Sequence, residues 1–211
     1  RNMSDAKFDI PFRSPKLPQM LTGDTRFKFR CYKGISCFNA CCKQADVTLT
    51  PYDVLRLKRR FGTTSEEFLK QYTVPFQMDA DGVPGLKMRT DNDGTCVMLD
   101  GENGCRVYEQ GCKEFDDRNR DWYRLILKKK SAGPGVGRPS EMSLQMFFMA
   151  SYNLDMFRRF VLSENFRRTY KLNETFYEAV AKDDLILMDF AFQFLRQVLF
   201  AEKTIEEAED A

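Results

Sequence analysis

The sequence predicts a mainly α fold with a small β-meander, a compact domain organised around a cysteine metal site. Three observations carry this expectation. Helix starts of good quality recur along the chain, Thr50-Pro51 with Asp53 and Thr64 with Glu67 among them. Short runs separated by Asn-Asp-Gly and Gly-Glu-Asn-Gly turns fill residues 83–108. Seven Cys and no His stand among 211 residues, with 43% hydrophobic and 30% charged residues and a net charge of +2. That charge is too small to name a partner by bulk electrostatics.

Residues 1–30 read as an irregular lead-in, because Pro11, Pro15 and Pro18 oppose a long helix. Arg1–Lys16 lacks the basic-then-apolar layout of a signal peptide, and no apolar run reaches the ~18 residues of a membrane span. A cytoplasmic setting is therefore expected, where thiols stay reduced. The first helix runs from Pro51 on an apolar stripe of Val54, Leu55, Leu57 and Phe61, and Gly62 closes it. The second ends at Tyr72. The meander comprises Gly85–Arg89, Cys96–Leu99 and Cys105–Tyr108. Beyond Phe115 the chain turns helical, with Trp122, Leu125 and Ile126 on one face and Ser131–Pro139 as a loop. Ser140 with Ser143 opens a run through Met149 that Met156–Val161 continues. Asn173 and Asp183 cap two more helices, the last reaching about Phe200 before the acidic tail. Two parts follow, a cysteine-cluster metal-binding region over 1–112 and a helical region packed against it over 113–211.

The chemistry sits in the thiols. An odd number cannot pair completely within one chain, and clustered reduced thiols point to metal. The missing His excludes Cys₂His₂ zinc sites, Cys–His dyads, Ser-His-Asp triads and the two-His-one-carboxylate iron site. The first cluster is Cys31, Cys37, Cys41 and Cys42. A helix over Phe38–Cys42 would set Cys37 and Cys41 on one face, with Cys31 folding back at Gly34. Cys42, turned away by about 100°, would serve a second ion or pack in the core. The second set is Cys96 and Cys105, flanking a Gly-rich turn. Adjacent side chains diverge in helix and strand alike, so a site made from the first cluster alone would need a strained turn; a site joining both sets is expected. As core cysteines these residues would be inert, yet four within twelve residues favour ligation.

At these residues the chain resembles the YkgJ-type cysteine-cluster proteins, the CxxCxxCC domain that chelates zinc or iron. The resemblance rests on Phe29-Arg30-Cys31, Cys37-Phe38-Asn39-Ala40-Cys41-Cys42, Leu49-Thr50-Pro51-Tyr52-Asp53 and Gly104-Cys105-Arg106-Val107-Tyr108-Glu109. It implies a zinc or iron cofactor, with an iron–sulfur cluster as a variant. One relative, a flagellin lysine N-methylase, implies an alternative function: an iron–sulfur-dependent protein lysine N-methyltransferase-like enzyme. Whether the chain is an enzyme at all is left open. The family continues past this stretch with Arg-Pro and another Cys, whereas here Glu109 runs into Gln110-Gly111-Cys112. Cys112 is out of register and is not expected to be a ligand.

Other features yield to simpler readings. The basic residues Lys16, Arg26, Lys28, Arg30, Lys33, Lys43, Arg56, Lys58, Arg59 and Arg60, with Arg118, Arg120, Arg124 and Lys128–Lys130, read as solvated helix faces rather than a nucleic-acid surface. Met146–Met149 and Met156–Phe160 read as core rather than a ligand pocket. Gly133–Gly137 lacks the Gly-Lys-Ser/Thr of a phosphate loop. A metal ion is the expected partner, with a protein partner left open and neither nucleic acid nor membrane expected. The first functional reading is a metal-binding protein whose site ties the front half to the helical half.

Overall fold

The structure, a computed structural model, describes residues 32–108, 118–123, 125 and 139–200. After a 3₁₀ turn at Ala40–Cys42 come β1 (Thr48–Leu49), α1 (Pro51–Phe61), α2 (Ser65–Tyr72), β2 (Thr73–Gln77) and β3 (Pro84–Met88). Next are β4 (Leu99–Asp100), a 3₁₀ turn at Gly101–Asn103, and β5 (Gly104–Cys105). Residues 118–123 are helical. Then follow α3 (Glu141–Tyr152), α4 (Leu154–Val161), α5 (Glu164–Tyr170), α6 (Glu174–Lys182) and α7 (Asp184–Phe200). Helix dominates, as expected.

Both front helices begin with a full capping box. Thr50 Oγ1 accepts from the Asp53 amide while Asp53 accepts from the Thr50 amide, and Thr64 and Glu67 repeat the arrangement. Gly62, left-handed at φ 63°, ends α1. Asn173 and Asp183 accept from the first amides of α6 and α7.

The β part departs from a single meander. β3 is the centre of a three-stranded antiparallel sheet in the order β1-β3-β2, with Leu49 opposite Leu86 and Thr73 opposite Met88. β4 and β5 form a separate two-residue pair, and Cys96 forms an isolated bridge with Thr90, just beyond β3. β2 was not among the expected elements, which placed the β part from Val83 onward, and it carries Pro75, which cannot donate to a ladder. It is accommodated because β2 is an edge, where no second neighbour asks for an amide. Residues 106–107 form a turn rather than continuing a strand to Tyr108. The helical run expected over 140–161 is broken at Asn153, which ends α3 and caps α4 by accepting from the Met156 amide. α5, opened by Ser163, was also unforeseen.

Trp122 packs against Phe147, Tyr152 and Phe192 at centroid separations of 5.1, 5.7 and 6.1 Å, joining residues 118–123 to α3 and α7. Phe157, Phe160, Phe166, Phe190 and Phe194 form a second aromatic cluster among α4, α5 and α7. Phe147 is buried, whereas Phe148, Met149 and Met156 line an open cavity of about 400 Å³ with Leu144 and Pro84. The front helices are held to α4 and α7 by ions. Lys58 Nζ donates to Asp155 at 2.9 Å and to Ser65 Oγ at 3.1 Å, and the Ser65 amide donates to Asp155 at 2.6 Å. Asp184 accepts from both Arg59 and Arg158. Lys58 is therefore buried and paired rather than part of a solvated basic face.

The boundary expected at 112/113, the Asp116-Asp117 pair and most of the loop expected at 131–139 lie outside the described residues. Among the described residues no helix is long and apolar enough to cross a membrane.

Candidate metal centre

Five of the seven cysteines fall in the described residues, and all five are free thiols. Cys31 and Cys112 lie outside them. The first cluster does not sit on the helix expected over Phe38–Cys42. Residues 36–39 form turns, Asn39 is left-handed at φ 64°, and only Ala40–Cys42 winds into a 3₁₀ helix. A left-handed residue cannot continue a right-handed helix, so Cys37 and Cys41 do not share a helical face. Asn tolerates that conformation better than most residues. Its side-chain amide also donates to the Gly101 carbonyl at 3.3 Å, which ties the turn to the β4–β5 segment.

This tight turn brings adjacent thiols together. Cys41 Sγ and Cys42 Sγ are 3.8 Å apart. Two thiolates bound ~2.3 Å from one tetrahedral ion stand ~3.8 Å from each other, so the pair already has the spacing of one edge of such a site. The divergence expected of neighbouring side chains is overcome here by the turn itself.

The two cysteine segments are docked together by backbone contacts. The Cys96 amide donates to the Cys42 carbonyl at 2.7 Å, and the Ala45 amide to the Gly94 carbonyl at 3.0 Å. Gly94 is left-handed at φ 85°, and a Cβ there would lie 3.2 Å from Gln44 Cα, so a side chain would press the two cysteine segments apart. Phe38 lies over Gly104, where a Cβ would come 3.0 Å from the ring. Lys33 Nζ reaches Glu102 at 3.3 Å on the surface, an exposed pair of small value.

Burial separates the thiols. Cys42 and Cys96 are in the core at 7% and 6% exposure, Cys105 is half-buried, and Cys37 and Cys41 are exposed. Burial pushes the Cys42 thiol up to about 12, and the neighbouring Cys41, Cys105 and Cys96 push the same way. Burial likewise raises Cys96, with Cys105 and Cys41 adding to it, while a hydrogen bond from the Met98 amide opposes the shift. Cys42 thus feels Cys41, Cys96 and Cys105, and Cys96 feels Cys41 and Cys105. Among the described residues, no three of His, Cys, Asp and Glu stand close enough together to hold a metal ion as placed. The structure brings one pair to ligand spacing and sets two further thiols near it.

Sequence reading missed the positioning residues, Asn39 and Gly94 above all. Both left a signal: Asn and Gly are the residue types that favour positive φ, and each sits beside a cysteine segment.

Residues 30–125 match the profile of the CxxCxxCC family, described as "Putative zinc- or iron-chelating domain". The match spans both cysteine segments and just under half of the chain. No curated protein and no solved structure matches the chain.

Proposed function

We propose that the CxxCxxCC domain of residues 30–125 holds a zinc or iron ion on cysteine thiolates, with Cys41, Cys42, Cys96 and Cys105 as its inner set and Cys31 and Cys37 as further candidates. The observation that carries the proposal is the 3.8 Å spacing of adjacent thiols on a segment docked beside Cys96. A bound cation would supply the positive charge that lets clustered, partly buried sulfurs ionise together. This chain's residues do the positioning. The Asn39 turn points Cys41 and Cys42 together, and the Cys96 amide fixes the carbonyl that follows them in the fold. All four sulfurs lie on residues 41–42 and 96–105, so the metal would clip the cysteine turn to the β4–β5 segment. That differs from tying the front half to the helical half. Clustered thiols kept for a metal suit a reducing setting, and the cytoplasm is the compartment we propose.

Metal analysis of anaerobically purified protein tests the proposal. We expect close to one zinc or iron per chain. Brown protein absorbing near 400 nm would assign an iron–sulfur cluster, and colourless protein with stoichiometric zinc would assign a closed thiolate site. Protein purified with neither metal, and unable to take up either, would refute the reading.

A further inference from the structure

The Cys41–Cys42 pair has a property beyond contributing to a metal site. Neighbouring residues normally aim their side chains apart, by about 100° in a helix and to opposite faces in a strand. Here the left-handed Asn39 and the 3₁₀ turn after it close the two sulfurs to 3.8 Å. Cys41 is exposed, whereas Cys42 is buried beside it, so the pair is open to solvent on one side and backed by core on the other. Its backbone is held independently of any ligand by the bond from the Cys96 amide to the Cys42 carbonyl.

We propose that Cys41 and Cys42 form a two-point binding site for trivalent arsenicals, the chemical class being an As(III) centre that carries at least two hydroxyl groups. In the reaction each thiol condenses with one As–OH. Two S–H and two As–O bonds break, two As–S bonds form, and two molecules of water leave. Arsenic stays trivalent throughout, so no oxidant or reductant is consumed. The product is uncharged at sulfur, which suits a pair half sunk in the core, where ionic groups are costly. A divalent cation on the same two sulfurs requires both to be thiolates, and this ligand does not. Because both sulfurs are already placed, the second As–S bond forms within the first adduct, at high effective concentration. The proposal shares its thiols with the metal reading but does not depend on it.

The test uses the full-length, reduced chain and phenylarsine oxide, whose hydrated form offers two hydroxyls. We expect one arsenical per chain by intact mass, the loss of two titratable thiols, and an adduct that maps by peptide digestion to the segment holding Cys41 and Cys42. Cys41→Ser and Cys42→Ser should each weaken binding by ~100-fold, since either leaves a one-point ligand. Mapping on the unsubstituted chain does not depend on whether the Cys42 variant folds. An adduct that maps instead to Cys96 and Cys105, or a Cys41→Ser chain that binds as tightly as the parent, would overturn the proposal. Zinc and iron content, measured on the same preparation, reports separately on the metal reading.

Discussion

Replacing Cys105 by Ser tests whether the cysteine turn and the β4–β5 segment share one site. Structural zinc sites of four protein ligands bind with about 10–16 kcal/mol at neutral pH, so one ligand of four accounts for roughly 3–4 kcal/mol. A thiolate replaced by a hydroxyl should therefore lose at least ~100-fold in zinc affinity. Cys105 is half-buried and adds to the charge felt by Cys42 and Cys96, so its loss falls on the same cluster as the loss of Cys41. Competition against a chromophoric zinc chelator measures the effect on the full chain. A peptide spanning Phe29–Lys43 holds four of the cysteines but neither Cys96 nor Cys105, and it lacks the amide that fixes the Cys42 carbonyl. We expect it to bind zinc far more weakly than the full chain. Equal affinity of peptide and full chain, or a Cys105→Ser variant that binds like the parent, would refute the two-segment site.

Further outcomes follow from the structure. Asp155→Ala strands the Lys58 ammonium, whose side chain is 7% exposed, with Ser65 Oγ as its remaining neutral acceptor; urea unfolding should show a loss of about 3 kcal/mol, and a loss below ~1 kcal/mol would count against the pair. Burial would raise the carboxyls of Asp155 and Asp184, but hydrogen bonds from Ser65 and Lys58, and from Arg158 and Arg59, outweigh it and hold both below the ordinary 3.8. Their contribution is thus complete above about pH 4 and is lost as pH falls through their lowered values, so acid unfolding of the parent should be steeper there than that of Asp155→Asn. Asn39→Val places a β-branched residue at φ 64° and should cost about 1–3 kcal/mol and lower zinc affinity, while Asn39→Gly keeps the turn; equal metal binding by the two would dismiss the turn's role. Cys112→Ser should retain its metal, and losing it would make Cys112 a ligand.

The parts of the fold that were legible are those where one residue's chemistry decides the local geometry. Thr50-Pro51-x-Asp53, Thr64 with Glu67, Asn173 and Asp183 each satisfy helix amides from a neighbouring side chain, and each marks a helix start in the structure. β2 was not legible, because its Pro75 is allowed only by its place at the sheet edge, and that place is set by β3, seven residues beyond the strand's end. The break at Asn153 was passed over because apolar residues resume at Leu154 and Met156, as both α3 and α4 need apolar faces against α7; Asn153, a capping residue type, was the signal that marks it.

At the candidate centre the same distinction separates what could be read from what could not. The residue types were legible: seven Cys without His leave sulfur as the donor. Their arrangement was not, because it depends on Asn39 taking a positive φ, which turns an expected helical i,i+4 pair into an adjacent one. The consequence reaches the energetics of loading. Hydrogen bonds from Cys96 and Ala45 and the contact of Phe38 with Gly104 hold the two cysteine segments together without help from any ion. The cost of closing the ~60-residue loop between them is met during folding of the chain. A metal ion arriving afterwards has only to draw in side chains and displace protons. Metal loading should therefore change the thiols' ionisation far more than it changes the backbone, in contrast to small zinc domains that are unfolded without their ion.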